Sequence, residues 1–248
     1  MDAFDVEGWR RSENDKLRGS IYRRPLGMTE CGFYWDNVFN GVAITLNHLE
    51  LEAVEGLEGG LFSKENLEAA WTRLKQRFPL LGSSTEEVTG LERVEFVVKE
   101  DRLRSIYPGE FSYLDLKSAE CVERFSYELQ NGPPVLGDTF LARVYAGPQL
   151  DAPRRYHIYI PVAHCITDGM ANATIAREYC QELAKLSQEP AISAPLLFTR
   201  LQNLLPVEGL TSSAKLSPAR RRWRLAIAKV IQTIRHTKMT VSTLLDYI

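Results

Sequence analysis

A histidine, an aspartate and a glycine lie close together where an apolar stretch gives way to a helical pattern. The segment reads YHIYIPVAHCITDG, and in it His164 is followed by Asp168 and Gly169. Histidine can act as a general base because its ordinary pKa lies near neutral pH. An aspartate four residues later can turn back to hold the loop, and a glycine allows a sharp bend. The spacing predicts a strand, a turn with a candidate general base, and a helix.

The strand before His164 indicates where that side chain points. Because strand residues alternate between two faces, four apolar side chains share one face: Tyr156, Ile158, Ile160 and Val162. If the strand continues, His164 extends this buried row, where burial and neighbouring groups can tune a base. The alternative is a buried histidine that only satisfies a backbone carbonyl. The Asp168–Gly169 pair favours the functional interpretation.

Four segments give the chain a resemblance to known acyltransferases. HCITDG (164–169) matches the HxxxDG motif of the chloramphenicol acetyltransferase-like superfamily. This superfamily includes plant BAHD acyltransferases, condensation domains of non-ribosomal peptide synthesis, and fungal alcohol or trichothecene O-acetyltransferases. The opening segment of the alcohol-acetyltransferase branch resembles RPLGMTECGF (24–33). The first helix of the family and its end resemble LEAAWTRLKQRFPLLGSS (67–84), and the strand before the motif strand resembles TFLARVY (139–145). The resemblance covers residues 20–210 approximately and is to the N-terminal half of such enzymes.

The resemblance implies a fold and roles for residues. The fold is α+β, a chloramphenicol acetyltransferase-like mixed β-sheet with packed helices, one domain of the usual two. His164 is the general base. Asp168 is structural in the family and pairs with an arginine, for which Arg143 is our candidate; a solvent-facing strand residue is the alternative for Arg143. Gly169 allows close backbone approach at the helix start. Cys165 is interpreted as packing, because the motif's register places His164 in the catalytic position.

Two features depart from the two-domain pattern. Ala163 stands where the fuller HHxxxDG motif has its first histidine, although the second is the catalytic one in the family. The DFGWG motif of the second domain is absent from the sequence. In two-domain relatives the substrates meet between the halves, whereas the chloramphenicol enzyme has one domain and forms trimers. We therefore expect the second wall of the site to come from a homotrimer or from a complementary second-half polypeptide. The alternative is that the chain is a truncated, non-catalytic or partner-dependent half of an acyltransferase or of a condensation domain.

Local patterns predict the supporting elements. Ser63 can cap a helix whose apolar side chains recur at helical spacing and which Pro79 ends. Pro161 cannot donate a ladder hydrogen bond, which indicates a sheet edge or a strand end. The other predicted elements are strands at 37–46, 91–99, 139–145 and 156–163, and helices at 117–130 and 170–186.

Composition and charge narrow the function classes. The chain has 248 residues, of which 44% are hydrophobic and 25% charged, as in ordinary globular proteins. It has no apolar signal core at its N-terminus and no apolar run long enough to cross a membrane, and four widely spaced cysteines predict free thiols. We therefore expect a cytoplasmic protein without a transmembrane segment. The domain prediction is a flexible N-terminus (1–20), an acyltransferase-like domain (21–186), a linker (187–217) and a basic amphipathic helical tail that starts a second domain (218–248).

The basic tail and the histidines offer alternatives to catalysis. Eight lysines or arginines and one acid lie from Thr211 onward, within a chain of net charge −2. Such a helix could touch nucleic acid or an acidic membrane, but packing of its apolar side on protein is commoner, and the acidic remainder argues against nucleic acid. His48, His157 and His236 are scattered and predict no metal site. By resemblance, the chain is an acyl-CoA-dependent O-acyltransferase of secondary metabolism, with acetyl-CoA as co-substrate, no bound cofactor, and a small-molecule alcohol or amine as acceptor.

Overall fold

The computed structural model describes residues 8–13, 19–55, 58–89, 93–185 and 194–206, together with single positions between 209 and 233. The chain divides into two units, Met1–Pro206 and Val207–Ile248. The described strands are β1 Arg10–Glu13, β2 Ser20–Pro25, β3 Ile44–Glu52, β4 Ser84–Val88, β5 Arg93–Lys99, β6 Phe111–Tyr113, β7 Val144–Pro148 and β8 Arg155–Ala163. The described helices are α1 Met28–Asn40, α2 Glu58–Leu61, α3 Lys64–Arg77, α4 Glu100–Arg104, α5 Ala119–Asn131, α6 Gly169–Leu183 and α7 Ala194–Gln202, with a 3₁₀ turn at Pro79–Gly82.

The strand that leads to His164 lies inside a mixed four-stranded sheet. The order is β3-β8-β7-β6, with β8 antiparallel to both neighbours and β6 parallel to β7. Pairing with β3 runs along the whole of β8, from Ile44 opposite Ala163 to Glu52 opposite Arg155. The α+β class and the mixed sheet that we expected are therefore confirmed, and β7 and β8 are neighbours as predicted.

Pro161 lies within β8, so the prediction of an edge or an end there is wrong. The Arg143 N–H donates to the Pro161 carbonyl at 3.2 Å, but proline has no N–H with which to return the bond. The ladder resumes where the Ala163 N–H donates to the Leu141 carbonyl at 2.8 Å. One missing bond thus interrupts the pairing without ending the sheet, and β7 starts at Val144 instead of at residue 139.

Helices α3 and α6 cover the face of β8 that the sequence predicted to be buried. Three alternate residues of β8 are fully buried in a cluster with both helices: Ile158, Ile160 and Val162. The prediction for α3 is confirmed, since Ser63 Oγ accepts the N–H of Asn66 at 3.2 Å and the helix ends before Pro79. The Tyr179 hydroxyl of α6 donates to the Leu67 carbonyl of α3 at 3.1 Å, which joins the two helices.

A second sheet, with the order β1-β2-β5-β4, is antiparallel throughout and packs with α1 and α7. The prediction of a strand at 37–46 is wrong for its first part, because α1 continues to Asn40. The Glu30 carboxylate accepts the Gly27 N–H at 2.6 Å at the start of α1. Gly41 ends the helix with φ of 63°, a left-handed conformation that favours glycine. Branched and aromatic residues suggested a strand, but the caps and the buried Tyr34 favour the helix.

The predicted linker and the predicted flexible N-terminus each contain a regular element. Within the predicted linker, α7 buries Leu197 and Leu201 completely, one helical turn apart. Within the predicted flexible N-terminus, β1 pairs with β2, and the buried Trp9 donates from Nε1 to the Leu204 carbonyl at 3.1 Å. In both places a short segment packs against partners that are distant in sequence, which local composition does not reveal. Residues 1–7, 14–18, 186–193 and 234–248, including His236, lie outside the described residues.

The opposite face of the mixed sheet packs against α5. Ser118 caps this helix by accepting the Cys121 N–H at 3.4 Å, close to the predicted start. Val122 packs against Tyr145 and Tyr159 of the sheet. This face therefore has a core of its own, separate from the one under α3 and α6.

The C-terminal unit is described only in part. Its described residues from Ala219 to Thr233 are helical, and they include Arg220, Arg222 and Lys229. Among the helices of the described chain, none has the length and apolar character that a membrane span requires.

Candidate functional site

The backbone around His164 is fixed on both sides of β8. The His164 N–H donates to the carbonyl of Ala43, just before β3, at 2.8 Å. One residue earlier, Ala163 is bonded to Leu141 on the other side. His164 therefore sits where a central strand ends and a turn begins, as the sequence predicted.

The imidazole of His164 has a defined tautomer. Its Nδ1 lies 2.8 Å from the carbonyl oxygen of Thr167. A carbonyl oxygen only accepts hydrogen bonds, so Nδ1 must carry the proton and Nε2 of the neutral ring must carry a lone pair. Within the described part of the chain, no residue bonds to Nε2. The ring is half-buried, and this arrangement leaves one basic nitrogen available to a substrate.

Phe33 forms one wall of this site. Its ring stacks on the His164 ring with centroids 4.0 Å apart and an angle of 1° between the planes. Phe33 belongs to α1, whose last residues were predicted to be part of a strand. The segment RPLGMTECGF contributed to the family resemblance, but no local pattern indicated that its last residue would meet His164.

Asp168 and Gly169 form the start of α6. An oxygen of the exposed Asp168 carboxylate accepts the Ala171 N–H at 2.7 Å, so Asp168 is the N-cap of the helix. A Cβ added to Gly169 would meet no atom within 4 Å, and its φ is not positive. The fold itself therefore does not require glycine there, and the space beside the helix start is open.

The predicted pairing of Asp168 with Arg143 is wrong. Arg143 donates to the Val135 carbonyl at 3.1 Å and lies over the Tyr145 ring at 5.2 Å. It stands opposite Pro161, on the face of the sheet that carries Tyr145 and α5. Asp168 caps α6, which covers the other face. Because successive strand residues alternate between faces, Arg143 points away from the helix that Asp168 begins.

Cys165 adjoins His164 but lacks the properties of a nucleophile. Burial, with a smaller contribution from the negative charge of Glu30, raises the pKa of the Cys165 thiol to about 12. A thiol with so high a pKa stays protonated at neutral pH and is a poor nucleophile. This agrees with the interpretation of Cys165 as a packing residue.

The structure brings together two histidines that the sequence analysis called scattered. His48 Nε2 and His157 Nδ1 are 3.0 Å apart, and His157 Nε2 lies 3.0 Å from Gln149 Oε1. The pairing of Glu50 with His157 in neighbouring strands places both histidines on the face opposite α6, which no sequence spacing could show. No group of three or more potential metal ligands occurs among the described residues.

Apolar side chains are exposed on the elements that flank His164. Phe39 at the end of α1 is 74% exposed, and Met170 in the first turn of α6 is 81% exposed. Val42, next to the Ala43 that bonds to His164, is also exposed. The elements next to the site therefore each expose an apolar side chain.

Comparison with solved structures identifies the fold. The trichothecene 15-O-acetyltransferase of Fusarium sporotrichioides matches 91% of the chain with a TM-score of 0.63 at 12% identity. The starter condensation domain of rhizomide synthetase matches 81% with a TM-score of 0.54 at 13% identity. The condensation domain of the monacolin K polyketide synthase matches 76% with a TM-score of 0.52 at 11% identity. The chain has the chloramphenicol acetyltransferase-like fold.

The shared fold covers only part of each relative. The chain spans 48% of the trichothecene enzyme and 46% of the rhizomide domain, about half of each. No family model matches the sequence, and no curated protein matches it. The chloramphenicol acetyltransferase-like fold is thus established by structure, as the HxxxDG segment had led us to expect.

Proposed function

We propose that the chain catalyses acyl transfer from an acyl-CoA to a hydroxyl group of a small molecule, with His164 as the general base. The observation that carries this proposal is the Nδ1–H bond from His164 to the Thr167 carbonyl, which leaves Nε2 as the basic nitrogen. The likeness to an O-acetyltransferase supports acetyl-CoA as the donor, and an amine is the alternative acceptor. The likeness to fungal and synthetase enzymes favours a role in secondary metabolism.

The chemistry addresses the weak nucleophilicity of a neutral alcohol. Nε2 of His164 takes the hydroxyl proton while the oxygen attacks the thioester carbonyl carbon. The tetrahedral intermediate then expels the CoA sulfur as the carbon–sulfur bond breaks, and the proton on Nε2 passes to that sulfur. General-base catalysis of this kind contributes roughly 10²–10⁴-fold. Asp168 supports the reaction indirectly by holding the turn, Gly169 leaves space at the helix start, and Arg143 takes no part.

Two substitutions at His164 test this function. The assay measures CoA thiol release from acetyl-CoA with a panel of small alcohols and amines. We expect His164→Ala and His164→Gln to abolish transfer while the circular dichroism spectrum and melting temperature stay near those of the wild type. His48→Gln is the matched control, because His48 lies on the opposite face of the sheet. Turnover retained in His164→Ala would refute the assignment of the base.

A second candidate function is that of a partner-dependent half, catalytically silent alone. The exposed Phe39, Val42 and Met170 support it, because each exposes apolar surface on an element that adjoins His164. A homotrimer or a complementary second-half polypeptide would cover this surface and add the second wall of the site. Light scattering distinguishes the cases: a stable trimer favours a shared-site enzyme, whereas a monomer without transfer activity favours a separate second half.

The cellular setting and domain limits complete the proposal. The four cysteines are free, which suits a reducing, cytoplasmic compartment. We retain 21–186 as the acyltransferase-like domain and extend it through α7, because Leu197 and Leu201 belong to its core. No nucleic acid is required as a partner.

A further inference from the structure

The contact between Phe33 and His164 joins two elements that are far apart in sequence. The rings are stacked at 4.0 Å and almost parallel. Helix α1, which carries Phe33, is anchored at its start, because Arg24 contacts both oxygens of the Glu30 carboxylate at 2.7 and 2.8 Å. Within the same helix, the Tyr34 hydroxyl donates to Asp138 at 2.7 Å. Phe33 is therefore presented by a fixed backbone.

We propose that Phe33 is a positioning residue that holds the His164 ring in the plane from which Nε2 accepts a proton. This inference rests on the proposed function of His164. A single hydrogen bond from Nδ1 to Thr167 fixes one ring atom but still permits the ring to tilt about that bond. A flat neighbour at van der Waals distance removes the tilt. Small displacements of a catalytic group cost large factors in rate, so this restraint has a direct effect on catalysis.

The aromatic face has a second effect. When Nε2 accepts a proton, the ring becomes an imidazolium cation, and an aromatic face attracts a cation. A leucine would fill a similar space but would provide neither a flat surface nor a π-face. The alternative role for Phe33 is simple filling of space, and a leucine would serve that role.

Nitrogen NMR of the histidine rings tests the restraint independently of turnover. The chain has four histidines, and the signals of His164 are assigned by their loss in His164→Gln. We expect the wild type to show a protonated Nδ1 and an unprotonated Nε2 in the neutral ring. In Phe33→Leu the two nitrogen shifts should approach each other as the ring loosens and the tautomers mix. Phe33→Tyr, which keeps a flat ring, should retain the wild-type pattern.

Kinetics and a control substitution complete the test. Phe33→Leu should lower kcat by on the order of 10- to 100-fold with little change in KM, and Phe33→Tyr should restore most of it. Phe125→Leu is the control, because the Phe125 ring makes edge-to-face contacts with Tyr145 and Tyr159 on the other side of the sheet. It should alter neither the His164 signals nor kcat. Wild-type nitrogen signals in Phe33→Leu would overturn the proposal. The two proposals can fail separately. If Phe33→Leu alters the His164 signals but the wild type transfers no acyl group, the role of Phe33 in holding the ring is supported and the proposed acyl transfer is rejected.

Discussion

Asp168 offers a sharp test of how the turn supports His164. In the structure its carboxylate accepts the Ala171 N–H at 2.7 Å and begins α6. The backbone carbonyl of the preceding Thr167 holds Nδ1 of His164. Loss of the cap should therefore loosen the first turn of α6 and, with it, the carbonyl that fixes the imidazole. Asparagine keeps an acceptor oxygen in the same position, whereas alanine removes it.

The expected magnitudes follow from capping energetics. Replacing an aspartate N-cap by alanine costs about 1 kcal/mol of unfolding free energy, and asparagine is nearly as good a cap as aspartate. In a chain of this size, 1 kcal/mol corresponds to a melting-temperature change of about 2–4 °C. We expect Asp168→Ala to lose this stability and most of its transfer activity, and Asp168→Asn to lose little of either.

Ser63→Ala provides the matched control, because Ser63 caps α3 through the same kind of bond, to the Asn66 N–H at 3.2 Å. It should cost similar stability without affecting transfer, since α3 does not hold the His164 turn. Thermal melts and the CoA-release assay on all three variants give the comparison. If Asp168→Asn loses as much activity as Asp168→Ala, the negative charge of Asp168 is required. That result would refute our view that Asp168 acts only as an N-cap, for which a neutral acceptor oxygen suffices.

Two further predictions concern buried groups outside the site. Lys75 is fully buried and donates to Glu110, so Lys75→Met should lower the free energy of unfolding in urea by about 3–5 kcal/mol. Adding Glu110→Gln should recover part of that loss, and strictly additive effects would contradict this. Burial lowers the pKa of His157 below 6.5, so the unfolded chain binds its proton first on acidification. The stability that His157 contributes should therefore be fully present above the pKa of histidine in the unfolded chain, about 6.5, and decline as the pH falls below it. His157→Gln should flatten this decline in urea titrations at several pH values, and an unchanged dependence on pH would contradict the prediction.

Local sequence rules succeeded where an element's own residues determine it. Helix α3 has a serine cap, a repeated apolar stripe and a terminating proline, and each signal acts within a few residues. Strand β8 likewise shows its buried face by simple alternation. The apolar face of each element predicts that another apolar element packs on it. Which element that is was not needed to predict the helix or the strand.

Prediction failed where long-range contacts decide the local structure. The segment 194–202 is short and follows a proline-containing stretch, and it becomes an ordered helix because the core accepts Leu197 and Leu201. The pairing of Arg143 with Asp168 was predicted because the resemblance implies an arginine partner for this aspartate. The face on which Arg143 lies, however, depends on its pairing with Pro161. The contact of His48 with His157 depends in the same way on strand register.

The candidate site combines both kinds of information. The spacing of His164, Asp168 and Gly169 is local, and it correctly located a strand end, a turn and a helix start. The orientation of the His164 ring is only partly local, because Nδ1 bonds to the Thr167 carbonyl within the motif. Phe33, which stacks on the ring, comes from the distant helix α1. If Phe33 positions His164 as proposed, a substitution at Phe33 would impair the site while the HxxxDG motif stayed intact.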